Sequence, residues 1–290
     1  MNLRFGSFAW AALLLAPFLA PGPTAHAQSQ PARVIALGGD ITEIIYRLGE
    51  QQRLAGRDAT STFPAEAQAI PAVGYFRQLG AEGVLSLKPD LILAAASAGP
   101  PEVLQQIVAT GVPVVRLPDA HTTDGLLDKV DRIAKALGVP EKGAQLAAKL
   151  RQDLAEAKTV VAGMSGRPKV LFIINAGGGA PMAAGRDTAA DSLIALSAAE
   201  NVFASHTGYK ALSSEAIAAA APEAIGMMDQ TLQSMGGVAA VAAHPALRLS
   251  PAVKHSRIVA REGSFLLSFG PRLPEAIVEF ARAIRGKGQS

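Results

Sequence analysis

Few side chains in this sequence could bind or transform anything, and the most informative are tyrosines. The 290 residues include three tyrosines and no cysteine. Tyr75 is followed two positions later by Arg77, within Gly74-Tyr75-Phe76-Arg77. A phenolate is a hard anionic oxygen donor suited to ferric iron. Its ordinary pKa lies near 10, so ionisation at neutral pH needs a metal or a neighbouring cation. In an extended segment residues i and i+2 project to one face, where an arginine can donate to the phenolate oxygen. Taken alone, the pair reads more readily as a half-buried loop tyrosine beside a surface arginine than as a ligand site. Tyr209 stands in Gly208-Tyr209-Lys210, with Ala211 where Tyr75 has its arginine. It therefore reads as a weaker donor or as core packing. Met227-Met228 could line a flat apolar ligand, because methionine is flexible and polarizable, or be ordinary core. Met228 is in addition a weak thioether donor.

The remaining chemistry is mostly exclusion. Without cysteine there is no disulfide framework, thiolate zinc site, iron–sulfur cluster or cysteine nucleophile. His121, His206, His244 and His255 lack metal-ligand spacing and read as surface or capping residues. His206, just before Gly208-Tyr209, is the one nearest a candidate site. Gly38-Gly39-Asp40 and Gly177-Gly178-Gly179 follow strand-like runs but match neither the dinucleotide fingerprint nor the Walker pattern. Ser213-Ser214-Glu215 has no partnered histidine. No catalytic constellation emerges, so a non-enzyme is expected. Hydrophobic residues make up 49 % of the chain, too many for disorder. Lys plus Arg number 27 against 24 Asp plus Glu, without the basic excess of a nucleic-acid binder.

The elements that must position these residues begin after a leader. Arg4, an apolar run from Phe8 to Ala20 and Ala25-His26-Ala27 form a signal-peptide pattern, with cleavage expected before Gln28. The run is too short for the roughly 20 residues of a membrane span, and Pro17 interrupts it. No cysteine follows to carry a lipid anchor, so a periplasmic protein without membrane insertion is expected. Strands are predicted at Arg33–Leu37, Pro89–Ala94 and Gly111–Leu117, with helices at Ile41–Leu48 and Glu102–Ala109. Leu126, Val130, Ile133 and Leu137 keep helical spacing, and a long helix is predicted over Glu141–Met164. A strand over Lys169–Ile174 and a helix after Thr188 restart the α/β alternation. The order Gly74-Tyr75, Glu82, Pro89-Asp90 returns as Gly208-Tyr209, Glu215, Pro222-Glu223. This predicts an α/β fold of two Rossmann-like lobes bridged by a long interlobe helix, with the ligand cleft between lobes. The segments are a leader over 1–27, an N-terminal lobe over 28–122, bridging helices over 123–166 and a C-terminal lobe over 167–290.

This organisation resembles the periplasmic substrate-binding proteins of ABC importers for haem, cobalamin and iron-siderophores. The run from Gly74 to Ile92 is similar to the haem-binding branch. So are Gly99-Pro100-Pro101-Glu102, Ala184-Gly185-Arg186-Asp187-Thr188, Gly208-Tyr209-Lys210, Gly236-Gly237 and Phe269-Gly270-Pro271-Arg272. The resemblance implies haem as transported ligand in an iron-acquisition system, with Tyr75 on the iron and Arg77 in support. Tyr209, Met227, Met228 and Asn175 would contribute to the pocket. Some members carry a histidine where this chain has Asn175, so one haem with five-coordinate or water-bound iron is expected. Arg77, Arg186 and Lys210 are candidates for the propionates. Glu82 and Glu215 would dock on an inner-membrane ABC permease, although a carboxylate near a helix N-terminus is favourable for local reasons too. The rigid bridge implies limited hinge motion, and a monomer is expected. Cobalamin or a ferric siderophore in the same fold is the alternative.

Overall fold

The apolar runs of the sequence become the inner strands of two parallel-stranded sheets, buried on both faces as such strands are. The computed structural model describes residue 1 and residues 30–119, 121–175 and 180–286. The leader, its cleavage point and Gly177-Gly178-Gly179 lie outside the described residues.

In chain order the N-terminal half comprises β1 (Val34–Leu37), α1 (Gly39–Arg47), β2 (Leu54–Arg57), α2 (Ala81–Ser86), β3 (Leu91–Ala95), α3 (Pro101–Ala109) and β4 (Val114–Leu117). Two helices that pack on each other, α4 (Thr123–Ala136) and α5 (Pro140–Ala162), then connect the halves. The second half runs β5 (Lys169–Asn175), β6 (Met182–Ala184), α6 (Ala189–Leu196), β7 (Glu200–Asn201), β8 (Tyr209–Ala211), α7 (Ser214–Ala220) and β9 (Ala224–Met228). It continues through α8 (Asp229–Ser234), α9 (Val238–Ala243), α10 (Pro251–Lys254), β10 (Ile258–Arg261), α11 (Gly263–Leu267) and α12 (Leu273–Arg285).

The first sheet has the order β2-β1-β3-β4, all parallel. In the second, β7, β5, β9 and β10 repeat that parallel order, and β6 and β8 extend it from β5 as an antiparallel ribbon. The sequence pattern predicts β1, β3, β4 and β5 of the shared part, but not the short β2, β7 and β10, nor the ribbon, whose strands are only three residues each. The repeat also has a local physical cause. Asp90 accepts the Ala32 and Arg33 backbone N–H groups at 2.8 and 2.9 Å, and Glu223 accepts that of Lys169 at 2.9 Å. Each carboxylate thus ties the start of its lobe's first strand. Each follows a proline and a left-handed residue, Lys88 at φ 49° and Ala221 at φ 44°.

The long helix spans 23 residues, about 34 Å at 1.5 Å per residue. It packs on α4, where Gly143 allows close approach, since a Cβ there would lie 2.4 Å from that of Ala134. The buried pair Lys129–Asp40 pins α4 to the start of α1. On α12, Leu273, Ile277, Phe280, Ala281 and Ile284 bury one stripe. One apolar cluster runs from Val34 and Leu93 through Val130, Leu150 and Val161 to Phe172 and Phe280. The lobes therefore share a core through the bridging helices. No helix among the described residues is long and apolar enough to cross a membrane.

Candidate functional site

On the N-terminal side the site is built by the chain after β2. Arg57 and Ala72 form a parallel bridge, with Val73 N donating to Arg57 O at 2.8 Å and Ala59 N to Gly74 O at 2.8 Å. Gly74 then turns at φ 96°, a left-handed value that favours glycine. Gln78 N closes a turn on Tyr75 O at 2.8 Å. The expectation of an extended Tyr75–Arg77 segment is therefore corrected: Phe76 and Arg77 occupy the middle of a turn. Phe76 mediates between their side chains. Tyr75 packs edge-on against its ring at 5.1 Å, and the Arg77 guanidinium lies 5.1 Å from the same ring. Tyr75 is left 39 % exposed, unusual for so large a side chain in a tied turn.

On the C-terminal side the β6–β8 ribbon carries the counterpart. Ala184 pairs with Tyr209, and Gly185 N donates to Gly208 O at 2.8 Å. Gly185 is required there, because a Cβ would lie 2.2 Å from His206 O. Tyr209 is 45 % exposed, and Met182, exposed at the other end of β6, is diagonal to it across the ribbon. Partial burial pushes the Tyr209 hydroxyl above its ordinary pKa, while the Arg77 charge pulls it down. The Arg77 charge, carried by the turn of the first lobe, therefore acts on Tyr209 of the second.

Met227 is fully buried, inside the cluster of Leu171, Ile173 and Ile225. Its expected place in the pocket is corrected: the alternation of β9 turns it into the core. Met228 ends that strand half-buried, and its sulfur abuts Gly263. Asn175 is exposed at the end of β5. Arg186 and Lys210 are exposed on either side of the Gly208 turn. Among the described residues, none of Arg77, Arg186 and Lys210 makes an ion pair. His206 stacks on Phe203 at 6.4 Å, while His244 and His255 are helix C-caps. His121 packs on Phe269, and burial lowers its pKa.

Glu82 and Glu215 are both exposed in the first turns of α2 and α7. Hydrogen bonds from its own backbone N–H and from the Ser213 hydroxyl lower the Glu215 pKa. Neither glutamate forms an ion pair among the described residues. A separate groove of about 580 Å³ lies between α4, α5, α6 and α12 and touches none of these side chains. Met182 carries only a weak signal in the sequence, and nothing in the motif Phe269-Gly270-Pro271-Arg272 marks a role for Arg272.

A family profile described as "Periplasmic binding protein" matches residues 34–262. Among solved structures, the periplasmic heme-binding protein RhuT from Roseiflexus sp. RS-1 is 38 % identical with a TM-score of 0.84, covering 87 % of this chain and 97 % of that one. The periplasmic heme-binding protein BhuT, solved in complex with two hemes, is 40 % identical with a TM-score of 0.83 and the same coverage. Among curated proteins, the vitamin B12-binding protein of Pectobacterium carotovorum is 29 % identical over 200 residues, 69 % of this chain and 72 % of that protein. These are substrate-binding transport proteins rather than enzymes, and so is this chain.

Proposed function

The chain belongs to the periplasmic binding protein family, and from that premise we propose that it captures haem after export and delivers it to an inner-membrane ABC permease. The observation that carries this reading is the exposed Tyr75, held in a tied turn with Arg77 within electrostatic reach of Tyr209. Haem is the cargo, with Tyr75 as its axial ligand. Ferric iron displaces the phenol proton, and the Arg77 cation stabilises the phenolate that results. Tyr209, Met182 and Met228 offer aromatic and thioether surface to the porphyrin face. Arg77, Arg186 and Lys210 supply unpaired charge for two propionates. Asn175 lies beside the strand exit and supplies no imidazole, which supports a single haem.

The likeness to a vitamin B12-binding protein supports cobalamin as a second reading. Three unpaired cations suit a dicarboxylate better than a ligand bordered by amides. The aromatic content is also low, at 5 % of the chain. Delivery would proceed through Glu82 and Glu215 on matched helices, whose exposed ion pairs with a permease form and break easily.

The test is an absorbance titration of residues 28–290 with ferric haem, run beside Tyr75→Ala. A saturable tyrosinate-type spectrum with an endpoint at one haem per chain, lost in the variant, is the expected result. Saturable binding unchanged in the variant would move the ligand away from Tyr75. Cobalamin uptake without haem uptake would replace the ligand altogether.

A further inference from the structure

The lobes also meet through a buried ionic contact. Arg272, at the start of α12, donates from Nε to Glu43 Oε1 at 2.9 Å across 229 positions of sequence. Its Nη2 donates to the same oxygen and, at 3.2 Å, to Glu262 Oε2. The arginine side chain is 12 % exposed and that of Glu43 only 5 %. The guanidinium lies 3.8 Å from the Phe63 ring and 5.2 Å from that of Phe265. Fork-shaped donation combined with two aromatic faces is a task for arginine that lysine does not reproduce.

This contact clasps a segment of the N-terminal lobe. Thr62 Oγ1 donates to Glu262 Oε1 at 3.3 Å, and Ser264 Oγ donates to Thr60 O at 3.1 Å. Residues 58–62 are stiffened by the fully buried Asp58. Its carboxylate accepts from Gly38 N at 3.1 Å, Thr60 N at 2.8 Å, Thr60 Oγ1 at 2.6 Å and Ser61 Oγ at 2.7 Å. Within the same segment, Ala59 N holds Gly74 O, the residue before Tyr75. A contiguous set of hydrogen bonds and ring contacts therefore leads from Arg272 to the tyrosine turn.

A buried ion pair adds little net stability over an apolar replacement, and fixing one arrangement is its better-attested use. We infer that Arg272 is a positioning residue, which holds the Tyr75 turn in register with the C-terminal lobe by clasping residues 60–63. For the role of Tyr75 this rests on the haem reading, whereas the coupling of turn to lobe holds for any ligand.

The absence of cysteine allows a direct test. Spin labels at Gln78→Cys, beside the turn, and Leu249→Cys, 64 % exposed on the second lobe, report their separation in the unliganded protein. Arg272→Gln is expected to broaden or shift that distance distribution, with Arg272→Lys resembling it. The same variants are expected to release haem between about twofold and thirtyfold faster. Arg272→Gln combined with Tyr75→Ala should lose less than the sum of the two losses, as coupled residues do. Should Arg272→Gln not fold, Thr62→Val severs one strut with Arg272, Glu43 and Glu262 all in place and should move the distribution in the same sense. An unchanged distribution in the folded variants, or additive losses, would overturn the inference. Failure of the wild type to bind haem would defeat the haem reading while leaving the label measurement decisive for the coupling.

Discussion

The two lobes use the same parallel strand order and differ in how each presents its tyrosine. In the first, Tyr75 rides a turn tied back to β2 and packs on Phe76, whose ring Arg77 also approaches. In the second, Tyr209 belongs to an antiparallel ribbon added at the sheet edge, and no arginine follows it. A turn can bring a donor and its cation to one ligand atom. A ribbon offers a flat face, suited to a planar ligand's side. The same frame thus occurs twice, and the proposed division of labour lies in the connection that follows β2 or β7.

The largest effect should break the equivalence of the tyrosines. Tyr75→Ala is expected to weaken haem binding by roughly a hundredfold or more, and Tyr209→Ala by less than about tenfold, read by absorbance titration. Equal losses would abolish the proposed asymmetry.

The second test concerns Glu43, which lies where the lobes meet. Burial raises its pKa from 4.5 to about 7 against the opposing pull of Arg272, with Asp40 and Glu262 adding repulsion. Because the folded value exceeds the unfolded one, the native state binds this proton more tightly. Its contribution is fully present below about pH 4.5 and is lost as pH rises through about 7. Denaturant melts of wild type and Glu43→Gln are expected to diverge in pH slope by about 1–3 kcal/mol between acid and alkaline ends. The lowered pKa of His121 works in the opposite sense and is common to both proteins, so the difference isolates Glu43.

A third test asks whether the matched carboxylates do matched work. Asp90→Ala removes two backbone hydrogen bonds and Glu223→Ala removes one. Losses of about 1–2 and about 1 kcal/mol are expected, in that order, from chemical denaturation. The smallest effect per residue belongs to the exposed glutamates. Glu82→Ala and Glu215→Ala should each weaken permease binding by a few fold, more at low salt, with the double variant losing most of it. Retention of full affinity by the double variant, measured with labelled permease, would remove the docking role.

The long bridge illustrates what was legible in the sequence. Its apolar spacing and the stops at Gly163 and Pro168 locate the helix to within two residues of Pro140–Ala162. Strands buried on both faces are equally plain, because each is a continuous apolar run. The Glu82 and Glu215 helices were legible as short helix-like segments, and so was the recurring order of motif residues. Met227 was misplaced because its neighbour carries the same side chain, and only the fold shows that Met227 lies within a strand buried on both faces while Met228 ends it.

Local sequence therefore determined the central elements, the lobe repeat and the residue types available for a ligand. These depend on hydrophobic period, turn chemistry and side-chain chemistry, all of which act over a few residues. Tertiary structure decided which of these groups meet. The Arg77 charge acts on Tyr209, and Arg272 reaches Glu43 across 229 positions. Glu43 titrates near neutrality only because packing strips its water. Burial, and the pairing of charges far apart in the chain, are properties of the assembled lobes and are written in no single stretch of sequence.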